Sequence, residues 1–228
     1  MLCEGPFDAI AVDIAAARTG TAMVGVAACG TAFTPQHAAR LTELVGERPI
    51  CVALDADTAG RHATETVWRR LTDPGPRAVT VAELPAGADP ADLIATGHEH
   101  ALADLVRYAR PAAQVVCDHK LGGVDLDGNP ARRLAGFRQL LPDTTRVPAD
   151  QRIDHVLYLA QRLDIDPTVA AAEASALNPT LFADRVTVRL IEHCHQLARQ
   201  LDPPPAPDHD LQDLTAEARI SMPTRGLS

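Results

Sequence analysis

The apolar and polar positions of the first 110 residues alternate between two periods. Short apolar runs recur at "MLC" (1–3), "TAMVGVAAC" (21–29), "ICVAL" (50–54) and "AVTVAEL" (78–84). Each is bounded by polar or turn-forming residues, so each reads as a buried strand. Between them lie stretches of helical spacing: Phe7 to Arg18, Thr34 to about Val45, Ala59 to about Leu71, and a further helix after Asp89. Thr34-Pro35 sets a capping hydroxyl before a proline at the first helical position, and Asp89-Pro90 repeats the device with a carboxylate. Strands alternating with helices predict a parallel sheet covered by helices.

After Arg110 the pattern changes. Residues 111–200 keep a helical period with little strand signal, broken by the turn-rich "GGVDLDGNP" (122–130). "LAGFRQLL" (134–141) and "HVLYLAQRL" (155–163) have amphipathic spacing and predict the core of a helical subdomain. From Asp202 the segment "DPPPAPDHD" predicts a flexible, solvated tail. The expected organisation is an α/β unit over 1–110, a helical unit over 111–200 and a Pro-rich tail over 201–228, with no internal repeat.

In sheets of this kind ligands sit outside the carboxyl ends of the strands. Glu4 follows the first expected strand, Asp55 and Asp57 follow the third, and Asp89 lies in the loop after the fourth. The pattern therefore gathers acids at one edge, and Glu4-Gly5-x-x-Asp8 adds Asp8 in the first turn of a helix. Two carboxylates one residue apart at the end of an apolar strand repel each other, and a divalent cation relieves that cost. Oxygen ligands without Cys or His suit Mg²⁺ or Mn²⁺ better than Zn²⁺. The chemistry such a site serves is phosphoryl or nucleotidyl transfer. Asp89 taken alone reads first as a helix cap, and Asp8 reads equally as an acid complementing a helix dipole.

Composition narrows the picture. Apolar residues make up 46% and aromatics 3%, so the core is built from Ala, Val, Leu and Ile. A net charge of −9 counts against an unaided nucleic-acid binder, which draws its affinity from Lys and Arg on phosphates. The five cysteines contain no C-x-x-C pair, which argues against a zinc ribbon or a redox couple, and three of them sit in apolar surroundings as small core residues. His193-Cys194-His195 would point in different directions on a helix and so does not form a metal triad. Tyr108 and Tyr158 read as packing residues rather than nucleophiles. Neither a signal peptide nor a bilayer-length apolar run is visible, which predicts a cytoplasmic protein without a membrane partner.

Four segments resemble, in order and spacing, the toprim domain of bacterial DnaG-type DNA primases: "EGPFDAIAV" (4–12), "CGTAFT" (29–34), "LDADTAGRHA" (54–63) and "LPAGADPADLI" (84–94). Topoisomerases, recombination mediators and some nucleases share the glutamate and the D-x-D pair. Ala59-Gly60-Arg61 and the string from Leu84 to Asp92 point to the primase branch. "VDLDGNPARRLAGF" (124–137) and the region through about Asp166 are more weakly similar to the helical subdomain that follows toprim in primases.

The resemblance implies an α/β toprim fold, a Rossmann-like parallel sheet flanked by helices, followed by an all-α subdomain. It implies that Glu4, Asp55 and Asp57 are catalytic and that Asp55 and Asp57 hold Mg²⁺ or Mn²⁺. Glu4 would act with the metal and in acid/base transfer, and Asp8 and Asp89 would complete the acidic metal patch. Gly60 would shape the loop, and Arg61 would either approach phosphate or face solvent.

The implied reaction is RNA primer synthesis in DNA replication, of a chromosome or a mobile element. DNA template and nucleotides would be its substrates. A basic partner domain or chain would assist it, and a helicase or a relaxase is a further candidate partner. Thr58 departs from the family, which usually has Arg there. Only three residues precede Glu4, and the zinc-binding and basic template-binding parts of a primase are not in the sequence. These departures predict a truncated or split primase-like protein that makes primers poorly alone. Two other readings stay open: a toprim nuclease with water as nucleophile, and a non-catalytic toprim module docking on a replication or conjugation partner.

Overall fold

The computed structural model describes residues 1–177 apart from 31, 56, 86 and 123–128. The first unit runs β1 (Leu2–Cys3), α1 (Pro6–Thr19), β2 (Val26–Ala27), α2 (Pro35–Val45), β3 (Ile50–Val52), α3 (Thr58–Thr72) and β4 (Val79–Val81). It continues through α4 (Pro90–Ala95), α5 (Glu99–Arg107), β5 (Arg110–Pro111) and α6 (Ala112–Leu121). Then come α7 (Pro130–Leu140), two short 3-10 turns at Leu141–Arg146 and Ala149–Gln151, α8 (Arg152–Arg162) and α9 (Pro167–Leu177). Among these residues no helix is long and apolar enough to cross a membrane. His193-Cys194-His195 and the tail over 201–228 lie outside the described residues.

The five strands lie in the order β2-β1-β3-β4-β5. The first four are parallel, as the alternating pattern predicts. β5 is antiparallel to β4, so the sheet is mixed rather than wholly parallel. The expected strand over 21–29 shrinks to Val26–Ala27, half-buried at the sheet edge. At Gly25 the chain presses on α1, where a Cβ would lie 2.0 Å from the Ala9 carbonyl oxygen, and pairing with the first strand reaches back to Val24, whose carbonyl accepts from the Met1 amine at 2.6 Å. The expected strands over 50–54 and 78–84 are regular only over 50–52 and 79–81, although Ala53, Leu54, Ala82 and Leu84 stay buried beyond them.

Side chains divide by period two between the faces of the sheet. Ile50, Val52, Leu54, Val79 and Val81 pack with Trp68 and Leu71 of α3 and with α6. Cys3, Cys51, Ala53 and Ala82 point the other way, onto Val12 and Ala15 of α1, Leu93 of α4 and Leu102 of α5. One face is thus branched and bulky and the other built from small residues. Trp68, 2% exposed, supplies the bulk that a chain poor in aromatics otherwise lacks. Cys3, Cys51 and Cys117 are buried and Cys29 is exposed. Burial pushes the Cys3 and Cys117 thiols up to about 12, so both are inert packing groups.

A second core joins Phe137, Leu140 and Leu141 to Val156, Leu159 and Leu163, which are the two amphipathic stretches of the sequence. α6 belongs to both cores: Ala112, Ala113, Val115 and Val116 pack under the sheet, and Cys117 and Leu121 pack in the helical core.

Two charged hubs bind the units together. Asp143, 10% exposed in its side chain, takes Arg69 of α3 at 3.2 Å and Lys120 of α6 at 2.9 Å. Asp118 of α6 takes Arg110 at 2.6 Å, Arg162 at 2.7 Å and the Tyr158 hydroxyl at 2.6 Å. Burial alone would raise the Asp118 carboxyl, but these hydrogen bonds outweigh it and hold the group low. The same contact, with burial, pushes the Tyr158 phenol up to about 12, which suits a structural hydroxyl and not a nucleophile.

A candidate carboxylate site at the carboxyl edge of the sheet

Each acid of the expected site is delivered by a distinct local device. β1 ends at Cys3 and passes Glu4 to the surface before Gly5 caps α1. Asp8, in the first turn of α1, reaches back and accepts the Gly5 amide at 3.0 Å. β3 runs buried through Ala53 and Leu54 and then exposes Asp55. Asp57 caps α3, accepting the Gly60 amide at 2.7 Å. Asp89 caps α4, accepting the Asp92 amide at 2.6 Å. The cap expected of Asp89 is therefore present, Asp57 is a second, and Asp8 stands in the first turn of α1, where it was expected to complement the helix dipole. In each of the three, a single carboxylate oxygen carries these bonds.

The acids also feel one another. Glu4 is raised above the ordinary carboxylate range, first by partial burial and then by the charges of Asp55, Asp57 and Asp8. Asp55 is raised first by partial burial and then by Asp57, Asp8 and Asp89. All five expected acids thus share one electrostatic neighbourhood at the carboxyl ends of β1, β3 and β4. Among the described residues no three His, Cys, Asp or Glu side chains already stand close enough to enclose an ion. The donor set still fits a hard cation: oxygen-only ligands carry mutual repulsion that a cation would relieve, and Mg²⁺ needs only one or two protein carboxylates.

Gly60 has a steric reason to be glycine. A Cβ there would lie 1.9 Å from the Asp55 carbonyl oxygen. The first turn of α3 therefore rides directly on the Asp55 backbone and fixes the spacing of Asp55 and Asp57. Arg61 is exposed and donates from Nη2 to the Thr58 hydroxyl at 2.9 Å. Its charge also reaches His119 of α6, whose imidazole is lowered first by burial and then by that guanidinium.

One contributor was not foreseen. Cys29 adopts a left-handed conformation, φ 54°, and its amide donates to the Glu4 carbonyl at 3.1 Å. The turn after β2 thus pins the backbone that presents Glu4. The only sequence signal was Gly30, which marks a turn but not the residue that makes the bond.

Comparison with known proteins bears on the fold that carries these acids. Residues 1–94 match the Toprim-like family. The DNA primase of Mycolicibacterium smegmatis is 31% identical over 154 residues, which is 64% of this chain and 23% of that protein. A DnaG primase catalytic domain solved bound to single-stranded DNA is 28% identical with a TM-score of 0.57, covering 72% of this chain and 51% of that one. The E. coli primase catalytic core is 27% identical with a TM-score of 0.53, covering 73% and 52%. The chain therefore spans about a quarter of the curated relative and about half of the solved cores.

Proposed function

Since residues 1–94 form a toprim domain of the DnaG-primase type, we propose that the chain serves metal-dependent nucleotidyl transfer in DNA priming. The observation that carries this reading is the electrostatic convergence of Glu4, Asp55 and Asp57 at one sheet edge, with Asp8 and Asp89 beside them. Asp55 and Asp57 would hold Mg²⁺ or Mn²⁺, which would supply charge neutralisation for a nucleoside triphosphate. Asp57 and Asp89 each use one oxygen for a helix cap, which fixes the carboxylate, and the second oxygen would serve the cation. Glu4, whose carboxyl is raised by partial burial and then by the neighbouring acids, is the group suited to proton transfer. Arg61, in the first turn of α3 after Asp57, would meet phosphate.

The relatives' names and the DNA bound in one solved neighbour support DNA as template. The net charge of −9 leaves the grip on that template to a basic domain or chain. Without that grip the reactants are not held in line, so primer synthesis by this chain alone is expected to be weak. The test is dinucleotide synthesis on single-stranded DNA with Mn²⁺, before and after adding the basic N-terminal half of a DnaG core in trans. The expected result is activity only with the added half, abolished in Asp55→Asn/Asp57→Asn. Cleavage of the DNA without nucleotides would overturn it in favour of a nuclease. Inactivity of a well-folded mixture would overturn it in favour of a docking module.

A further inference from the structure

The pairing of β4 with β5 stops early. The register ends at Val81 with Arg110, yet the chain of β4 runs on through Ala82, Glu83 and Leu84. On the inner side Ala82 still donates to the Val52 carbonyl at 2.9 Å. On the outer side Glu83 makes no backbone hydrogen bond among the described residues. A strand continuing β5 backwards would meet it, but that stretch of chain is the end of α5, where the Tyr108 amide turns away to the Asp104 carbonyl.

The gap is a groove of about 460 Å³, within the range of real binding sites. Its floor is apolar, with Val81, Leu93, Leu105 and the ring of Tyr108. Tyr108 is 74% exposed, a large apolar surface to leave open to water. Its rim carries two carboxylates, Glu83 and Asp104. The Asp104 carboxylate has no hydrogen-bond or ion-pair partner among the described residues. Arg110, the one cation in the lining, is already held by Glu83 at 3.0 Å and by Asp118 at 2.6 Å.

We propose that this groove docks an extended, basic segment of a partner protein, added as a strand along Glu83 in line with β5. Its apolar side chains would rest on Leu93, Leu105 and Tyr108, and its Lys or Arg side chains would face Glu83 and Asp104. Unmet main-chain groups at a sheet edge select a strand, and alternate side chains then select its sequence. Charge selects the partner's sign, because a second copy of this chain brings a like charge of −9. The groove opens at the same sheet edge as the carboxylates, since Glu83 follows β4 as Asp55 follows β3. A docked partner would therefore bring positive charge beside the acids. The docking does not depend on those acids being active.

The probe is a capped synthetic peptide, Lys-Val-Lys-Val-Arg, titrated into the ¹⁵N-labelled chain. Two controls accompany it: the same peptide with N-methylated amides, and one with Glu in place of each Lys and Arg. The expected result is saturable shifts confined to residues 83–85 and 104–110, with neither control binding. Asp104→Lys, at an exposed position, should weaken binding about tenfold, while Asp55→Asn/Asp57→Asn should leave it unchanged. Equal binding of either control, shifts spread elsewhere, or no binding would overturn the proposal. So would a dimer in sedimentation that Tyr108→Ala dissolves, because the occupant would then be a second copy.

Discussion

Gly60 lies so close to Asp55 that a single added carbon would stand 1.9 Å from the Asp55 carbonyl oxygen. The contact is backbone on backbone, so nothing flexible can give way. Gly60→Ala must either lift α3 off the strand end or move Asp55. The expected cost is about 2–4 kcal/mol of stability, read as a lower denaturant midpoint. Any surviving fold should bind Mn²⁺ more weakly than wild type. An alanine variant of wild-type stability would show that the turn is looser than its geometry implies.

Asp57 has two tasks that substitution can separate. Asp57→Asn keeps an oxygen for the Gly60 amide and loses the charge. Asp57→Ala loses both. The alanine variant should be less stable than the asparagine variant by about 1 kcal/mol, the usual worth of an N-cap. Both should lose Mn²⁺ affinity to a similar degree. If the two variants melt together, the cap at 2.7 Å contributes nothing.

The crowding of acids predicts a stability that the site gives up. Glu4 and Asp55 have raised carboxyls, so their charged forms are disfavoured in the folded state. The linkage sign follows: folding gains as these groups protonate at low pH and loses as pH rises through their raised folded values. Asp55→Asn should therefore raise the melting temperature at neutral pH without divalent ions, by about 1–2 °C. Added Mn²⁺ should reverse the order by stabilising only the wild type. Destabilisation by Asp55→Asn in chelator would contradict this reading.

His155 makes the opposite pH prediction for the helical unit. It is 2% exposed and neither ring nitrogen has a hydrogen-bond partner among the described residues. Burial lowers it to about 4, only partly offset by the charge of Asp143. The unfolded chain binds the proton more readily, so this group's contribution is present above about pH 6.5 and is lost as pH falls toward 4. That loss is as much as about 3 kcal/mol. His155→Leu should flatten the difference in unfolding free energy between pH 7 and pH 4.5. Identical pH profiles for variant and wild type would remove His155 from the explanation.

Asp143 is the hub whose loss the two units should feel most. It is nearly buried between Arg69, Lys120 and Arg146. Asp143→Ala leaves Arg69 and Lys120 to share Glu65 and leaves Arg146 with Asp73, and should cost about 3 kcal/mol. Hydrogen exchange should quicken first in α8 and at the C-terminal end of α6. Uniform loss of protection across the sheet would mean that the two cores unfold as one.

Much of the fold was legible because its signals are local. Thr34-Pro35 and Asp89-Pro90 start helices where the sequence says they do. The acids fall at strand ends because β1, β3 and β4 are short apolar runs bounded by polar residues. The antiparallel strand was not legible: Arg110 and Pro111 show neither alternation nor β-branched character, and only the edge of β4 makes them a strand. The tight seat of Gly25 on Ala9 was hidden for a related reason, since the two lie far apart in sequence. The helix after Asp89 divides into α4 and α5 at Gly97, whose φ of 76° breaks the first of them. The hubs at Asp118 and Asp143 join residues from separate elements, and no periodicity announces such pairs.

The most direct test is calorimetric titration of Mn²⁺ into the wild-type chain and into Asp55→Asn/Asp57→Asn, with circular dichroism confirming that both are folded. The carboxylate edge predicts saturable binding by the wild type that strengthens as pH rises and that the double variant loses. A folded wild type that binds no Mn²⁺, or a double variant that binds it equally well, would show that these acids serve as helix caps and surface charge rather than as a metal site.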